Sequence, residues 1–332
     1  MSFICIFVIK IMIYNSDKHN ITLAAEAIKN GDVVAFPTET VYGLGADCTN
    51  PIAVSKIFEV KNRPSFNPLI VHVSKFSQLE EVSFAENENV KKLINKFWPG
   101  PLTLVLPKKN IIPDIVTSGH PTVAVRMPNH PVALKLIDAA GVPIAAPSAN
   151  SFGFLSPTSA EHVAKQLGNK ISIILDGGQS DVGVESTIIE LINNRVTILR
   201  PGGLPIEEIR KIIPSVDVEQ KDTLAPKAPG MLLQHYAPKI ELKFLDEVNF
   251  NDLDINKVGY LSFNGNKVEQ KFKVTRVLTK TNNLREAAAN LFKYLHELEN
   301  ENIQLIIADR IAETGLGIAI MDRLTKAANR YR

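Results

Sequence analysis

The residues able to do chemistry gather first in Phe36-Pro-Thr-Glu-Thr-Val-Tyr-Gly-Leu-Gly-Ala46. One helix length later come Lys61-Asn-Arg63-Pro64 and Asn67-Pro-Leu-Ile-Val-His72. An apolar run, Val33 to Phe36, ends in a proline and is followed by hydroxyl side chains and two glycines, which is how a strand delivers groups to the rim of a pocket. Two cations and a histidine then follow in close succession and ask for an anionic ligand. The chain contains neither G-x-x-x-x-G-K-[ST] nor G-x-G-x-x-G, so side chains must meet the phosphates of any bound nucleotide. Lys61 and Arg63 are the first candidates, with Arg126 and Arg200 behind them.

Each feature taken singly has a blander reading. A K-x-R pair is commonly a solvated loop, and His72 on a half-apolar strand a satisfied core histidine. Pro147-Ser148-Ala-Asn150, Ser156-Pro157-Thr158 and Val184-Glu-Ser-Thr187 could be hydrogen-bonded turns. No nucleophilic triad is arranged along the sequence, and HExxH and calcium-loop spacings are absent. The two cysteines, Cys5 and Cys48, form no CxxC. No metal-ligand motif or disulfide framework is therefore expected, and a reducing compartment fits.

The elements that must position these groups follow from periodicity. Helices are expected over Ile21 to Asn30, Pro51 to Val60, Val90 to Phe97, Pro131 to Ala140 and Ala160 to Leu167. In Pro51 to Val60 the inner face is expected to carry Ile52, Ser55, Ile57 and Phe58. Strands are expected over Leu69 to Val73, Leu102 to Leu106, Thr122 to Arg126, Ile144 to Ser148, Ile171 to Leu175, Ser186 to Leu191 and Val196 to Leu199. Several connections are too short for crossover helices, so the sheet must be mixed. Alternation places Thr122, Ala124 and Arg126 on one face, Ala146 with Ser148, His72 with Ile70, and Ser186 with Ile188. Small, polar or cationic groups thus recur opposite aliphatic ones, and one side of the sheet should line a cavity.

Prolines at 214, 226, 229 and 238 mark a linker. Beyond it, Val258 to Phe263 and Leu305 to Ala308 read as strands. Leu284 to Glu299 reads as an amphipathic helix with Leu284, Ala288, Leu291, Leu295 and Leu298 on one stripe, and Ile318 to Arg330 as a closing helix. The expected division is an N-terminal extension or first strand over 1–14, a catalytic domain over 15–213, a linker and lid over 214–240, and a small α/β domain over 241–332. Met12 is a second candidate start. The first fourteen residues are too short an apolar stretch to span a bilayer and lack the features of a signal peptide.

At 332 residues, 45% hydrophobic, 22% charged and net charge +2, the chain has the composition of an ordinary globular protein. It lacks the basic stripe that phosphate neutralisation demands of a dedicated nucleic-acid binder.

Together the motifs resemble the YrdC-like threonylcarbamoyl-AMP synthases in their long form with an extra C-terminal domain. The matching segments are Phe36-Pro-Thr-Glu-Thr-Val-Tyr-Gly-Leu-Gly45, Lys61-x-Arg63, Pro68-Leu69, Trp98-Pro-Gly-Pro-Leu-Thr103, Val123-Ala-Val-Arg-Met-Pro128, Ala146-Pro-Ser-Ala-Asn150, Ser156-Pro-Thr158, Glu185-Ser-Thr187 and Leu199-Arg-Pro-Gly202. The long form is marked by Pro229-Gly-Met231, His235-Tyr-Ala-Pro238, Gly315-Leu-Gly317 and Asp322-Arg-Leu324.

The resemblance implies a twisted mixed-sheet α/β catalytic domain with a concave cavity and a small Rossmann-like α/β C-terminal domain. It implies a nucleotidyltransferase that condenses L-threonine, bicarbonate and ATP to threonylcarbamoyl-AMP and pyrophosphate. The product would pass to a tRNA threonylcarbamoyl-transfer complex for threonylcarbamoyladenosine modification, with weak tRNA binding at most by the chain itself. The location would be cytoplasmic, with no membrane partner. Threonine-binding positions fall on Thr40, His72, Arg126, Ala146 and Ser186. ATP-binding positions fall on Arg63, Asn67, Thr122, Ser148, Ser156 and Arg200, with Lys61 and Asn150 close by and Tyr236 reaching in from the linker. Mg2+ would ride on the phosphates of ATP and pyrophosphate. Two rivals are an RNA-binding module without catalysis and a carbamoyl-transferase relative acting on carbamoyl phosphate. The first needs more basic charge than this chain has, and the second needs preceding domains for which there is no room.

Overall fold

The alternating apolar runs pair into one large sheet. In the computed structural model, which describes residues 12–192, 195–219, 227–266, 268 and 270–331, that sheet has eleven strands. Their spatial order is Met12–Asn15, Ile173–Asp176, Val34–Phe36, Gly43–Asp47, Ile144–Ala145, Ile70–His72, Thr122–Arg126, Leu102–Pro107, Thr187–Ile192, Arg195–Arg200 and Asp217–Val218. Parallel and antiparallel neighbours are interspersed, so the sheet is mixed. The reading of residues 1–11, including the choice of start, lies outside the described residues.

Parity along the strands decides the two faces. Val71, Val123, Val125 and Ile189 point into the main core, whereas Ile70, Ala124 and Ile188 form a small apolar cluster on the other side. Each aliphatic side chain fully withdrawn from water contributes about 1.5–3 kcal/mol, so a one-residue slip would expose the whole core set and is strongly disfavoured. Register then puts His72 beside Arg126 and Ile70 beside Ala124.

Several expected boundaries move. The first helix is Lys18–Lys29, because the Asp17 carboxylate caps the Asn20 amide at 2.8 Å. The Pro51–Lys61 helix buries Ala53, Val54, Ile57 and Phe58, while Ile52 is 72% exposed. The inner face is therefore rotated from the expected one. Gly43–Asp47, read as a turn from its glycines, is a buried strand. A Cβ on Gly45 would lie 2.6 Å from Ile144 Cγ2 and 2.7 Å from Phe36 Cε1, so glycine there permits close packing rather than a turn. The strand expected over Ile144 to Ser148 has regular pairing only at Ile144–Ala145. Helices Phe76–Val82 and Ile206–Arg210 were not foreseen.

A second, four-stranded sheet is parallel throughout, in the order Glu241–Phe244, Leu305–Ala308, Val258–Ser262, Val274–Val277. Its two edge strands, Glu241–Phe244 and Val274–Val277, were missed; both mix charged with apolar residues, unlike the wholly apolar Leu305–Ala308. The Leu284–Glu299 helix has the expected extent, although its inner face adds Ala287 and Phe292 and leaves Leu284 half-buried. The closing helix is Leu316–Ala328 rather than Ile318 to Arg330. Among the described residues no helix is long and apolar enough to cross a membrane.

Candidate active site

The polar face of the large sheet opens on a cavity whose lining includes Thr40, His72, Arg126, Ala146 and Ser186 together with Arg63, Ser148, Arg200 and Tyr236. Arg126 is 3% exposed. Its Nη1 donates to Thr40 Oγ1 at 2.8 Å and its Nε to the Gly100 carbonyl at 3.2 Å, while Nη2 lies 2.6 Å from Glu39 Oε1. Thr40 Oγ1 also meets Thr38 Oγ1 at 2.9 Å. The guanidinium is therefore fixed in position, and its planar fork suits a carboxylate. His72 is buried against the edge of the Phe36 ring. Burial, and then the Arg126 charge, push its pKa down to about 3, so it is a neutral imidazole whose Nδ1 has no partner among the described residues. Ser186 Oγ and Thr103 Oγ1 share a 2.7 Å hydrogen bond.

Arg200 donates from Nη2 to Ser186 O at 2.8 Å and from Nη1 to Pro229 O at 2.9 Å. Arg63 donates to the carbonyls of Asn67 and Pro68, with its guanidinium 5.9 Å from the Phe152 ring centre. Both arginines are hydrogen-bonded by neutral carbonyls, and Arg200 also feels the Glu185 carboxylate; two guanidiniums on one cavity suit a polyphosphate. Ser148 Oγ donates to Asn150 Oδ1 at 2.5 Å.

Other expected ATP residues stand behind the cavity wall. Lys61 is 1% exposed, and its ammonium donates to the backbone carbonyls of Ser148 and Asn150, so it ties the Ser148 loop to its helix. Asn150 Nδ2 closes that loop onto Phe154 O at 2.8 Å. Asn67 is wholly buried beside Arg63, with neither side-chain amide atom hydrogen-bonded among the described residues. Ser156 donates to Glu185. Thr122 sits half-buried where its strand begins, opposite Pro107 and away from the cavity.

The segment read as a linker closes the cavity. Ala228, His235, Tyr236 and Ala237 are all buried. Burial raises the Tyr236 hydroxyl to about 12 and, with the Arg63 and Lys61 charges, drives His235 well below its ordinary value, so both rings are neutral. A Cβ on Gly230, whose φ is +80°, would lie 2.3 Å from the Tyr236 hydroxyl oxygen. Only glycine fits there. With this segment in place the cavity is about 40 Å³, enough for a few waters.

Four participants escaped the sequence reading. Glu39 lies inside the Thr38-Glu39-Thr40 run but was given no role of its own there. Glu185 sat in a run read as a hydrogen-bonded turn, and like His235 it entered only as a family mark. Arg323 had a visible signal, since Asp322, Arg323 and Lys326 interrupt an otherwise apolar helix.

Comparisons with known proteins show the family. A family model described as "Telomere recombination" matches residues 26–202, and one described as "Threonylcarbamoyl-AMP synthase, C-terminal domain" matches residues 204–329. The threonylcarbamoyl-AMP synthase of Pyrococcus abyssi is 44% identical over 328 residues, covering 95% of this chain and 96% of that one. The Bacillus subtilis enzyme of the same name is 42% identical, covering 93% and 92%. The crystal structure of P. abyssi Sua5 complexed with L-threonine superposes with a TM-score of 0.88 at 43% identity, covering 96% of this chain and 98% of that chain. With both family models matched in order and full-length relatives at this identity, the chain belongs to the threonylcarbamoyl-AMP synthases, in the long form that carries the additional C-terminal domain.

Proposed function

We propose that this threonylcarbamoyl-AMP synthase holds L-threonine at the Arg126 end of the cavity and ATP at the Arg63–Arg200 end, so that the new carbamate meets the α-phosphorus between them. The observation that carries this reading is the convergence of the Arg126 guanidinium, fixed by Thr40, and two further cations, Arg63 and Arg200, on the lining of one small cavity. Arg126 would take the threonine carboxylate. His72, neutral and with a free Nδ1, would hydrogen-bond the threonine hydroxyl without adding charge. Ala146, whose amide donates to Ile70 O at 2.8 Å, leaves room for the amino acid.

The amine of threonine adds to carbon dioxide derived from bicarbonate. The resulting carbamate attacks the α-phosphorus and pyrophosphate leaves. The protein's share is to orient the reactants and to offset the charge that develops on the transferring phosphorus. Glu185, the carboxylate lining the cavity, is committed to Arg323 at 2.8 Å and to Ser156. The donor set therefore suits a magnesium ion carried by the triphosphate, where it would neutralise the departing phosphates. A nucleotide needs a pocket of roughly 300 Å³ or more, against about 40 Å³ here. The 227–240 segment would thus withdraw to admit ATP and return to exclude water from the adenylate. The product would pass to a tRNA-modifying threonylcarbamoyl transferase in the cytoplasm.

The test is pyrophosphate release from ATP with magnesium, adding threonine and bicarbonate singly and then together. Release requiring both, with serine a poorer substitute and EDTA abolishing it, supports the reading. Release with neither, or none under any combination despite ATP binding, overturns it.

A further inference from the structure

The Leu316–Ala328 helix belongs to the second sheet's layer, yet it sends its charged residues into the wall of the first sheet's cavity. Arg323 has a wholly buried side chain. Its Nε lies 2.8 Å from Glu185 Oε2, its Nη1 donates to Pro201 O at 2.9 Å and to Asp322 Oδ2 at 2.7 Å, and its guanidinium carbon stands 4.9 Å from the centre of the Tyr236 ring. Its Nη2 is buried with no hydrogen-bond partner among the described residues. One turn on, Lys326 donates to the Gly230 carbonyl at 2.6 Å and is paired with Asp322. A buried cation is costly unless it is matched. Here every match Arg323 has outside its own helix is a cavity-lining residue or the chain next to Arg200.

We propose that Arg323 is a positioning residue of the catalytic cavity, fixing the Glu185 carboxylate and the Tyr236 ring so that the C-terminal domain completes the ATP end of the site. The proposal rests on the two-ended reading of the cavity given above. Glu185 accepts from Ser156 and faces Arg200 as well as Arg323, while Tyr236 is faced by Glu185, Arg323, Arg200, Asp322 and Arg63. Burial alone would raise the Glu185 carboxyl, but Arg323 and Arg200 hold it below the usual carboxylate range. Without Arg323, Glu185 would take a proton more readily or draw Arg200 away from the phosphates. Either change alters ATP use rather than threonine use.

The experiment measures kcat/KM for ATP and for threonine from pH 5 to 9, with circular dichroism confirming that each variant is folded. Arg323→Met should lower kcat/KM for ATP at least tenfold, lower that for threonine much less, and move the acidic limb of the ATP profile to higher pH. Adding Glu185→Gln to Arg323→Met should cost little more, because the two act as a unit. An unmoved limb, equal losses for both substrates, or losses that multiply in the double variant would show that Arg323 is a structural residue only. If Arg323→Met does not fold, Arg323→Lys decides, since it keeps the charge but loses the fork. A lower kcat/KM for ATP with the limb in place supports the proposal, and parent-like kinetics overturn it. Failure of the parent protein to form threonylcarbamoyl-AMP at all would instead refute the reaction reading, before any variant is compared.

Discussion

Arg126 has two jobs that mutagenesis can separate. Its guanidinium lies 2.6 Å from Glu39, with the two side chains 3% and 7% exposed, and it is also the group proposed above to receive the threonine carboxylate. Arg126→Ala removes a buried partner and strands the Glu39 carboxylate, which for a fully buried pair costs about 3–5 kcal/mol. For a domain of this size that is a fall of roughly 10 °C in Tm. The same variant should lose threonine-dependent pyrophosphate release while keeping ATP binding nearly unchanged. Adding Glu39→Gln removes the stranded charge and should recover a large part of the lost stability, because breaking one side of a buried pair costs more than neutralising both. Threonine dependence should stay lost in the double variant. Differential scanning calorimetry read beside the pyrophosphate assay checks both halves. A double variant that regains threonine-dependent turnover, or a single one that loses ATP and threonine binding equally, would refute the reasoning.

Three further outcomes are expected. Tyr236→Ala, or cleavage between 227 and 240, should cut adenylate yield severalfold at temperatures well below the unfolding midpoint, which the loss of the buried Tyr236 ring will itself lower; unchanged yield would make the segment a mere tether. Gly230→Ala, which forces a Cβ to 2.3 Å from the Tyr236 hydroxyl at a φ of +80°, should likewise cut adenylate yield and quench less of the linker's water exposure in hydrogen exchange, and parent-like behaviour in both would contradict the close approach. The stacked His162 and His296 rings, 3.9 Å apart where the two layers meet, should make the molecule acid-sensitive. Burial pushes His162 down to about 3, aided by His296, and His296 down to about 4. The unfolded chain therefore binds these protons first, so stability is complete above about pH 6.5 and falls as pH drops toward the folded values, by about 2 kcal/mol per histidine at pH 5. Urea unfolding at pH 7.5 and 5 should show a smaller loss for His162→Phe/His296→Phe than for the parent, and an identical loss would sink the assignment.

How much was legible beforehand differs from element to element. Helices with clear caps and a full apolar period, such as Pro131–Ala140 and Leu284–Glu299, were read at their observed ends, because the signal is local. Gly43–Asp47 was not, since glycine in a strand and glycine in a turn look alike until a neighbour such as Phe36 is seen filling the missing Cβ. The proline-rich segment after 213 was read as a linker by composition. That Ala228, His235 and Tyr236 are buried in the active site was invisible, because the groups that bury them are far away in the chain.

The sequence by itself determined the family, the mixed α/β character and the face on which His72, Arg126 and Ser186 lie, since ordered motifs and strand parity are properties of neighbours along the chain. Only the tertiary structure decided which of the candidate groups reach the cavity. Lys61, Asn67, Asn150 and Thr122 carry suitable chemistry, but the fold spends Lys61 and Asn150 on holding the Ser148 loop, buries Asn67 behind Arg63 and leaves Thr122 at the strand's far end. Glu39 and Arg323 acquire their roles the same way, through partners 87 and 138 residues distant in sequence. A charge's worth depends on what is buried beside it, and that is settled by three-dimensional packing.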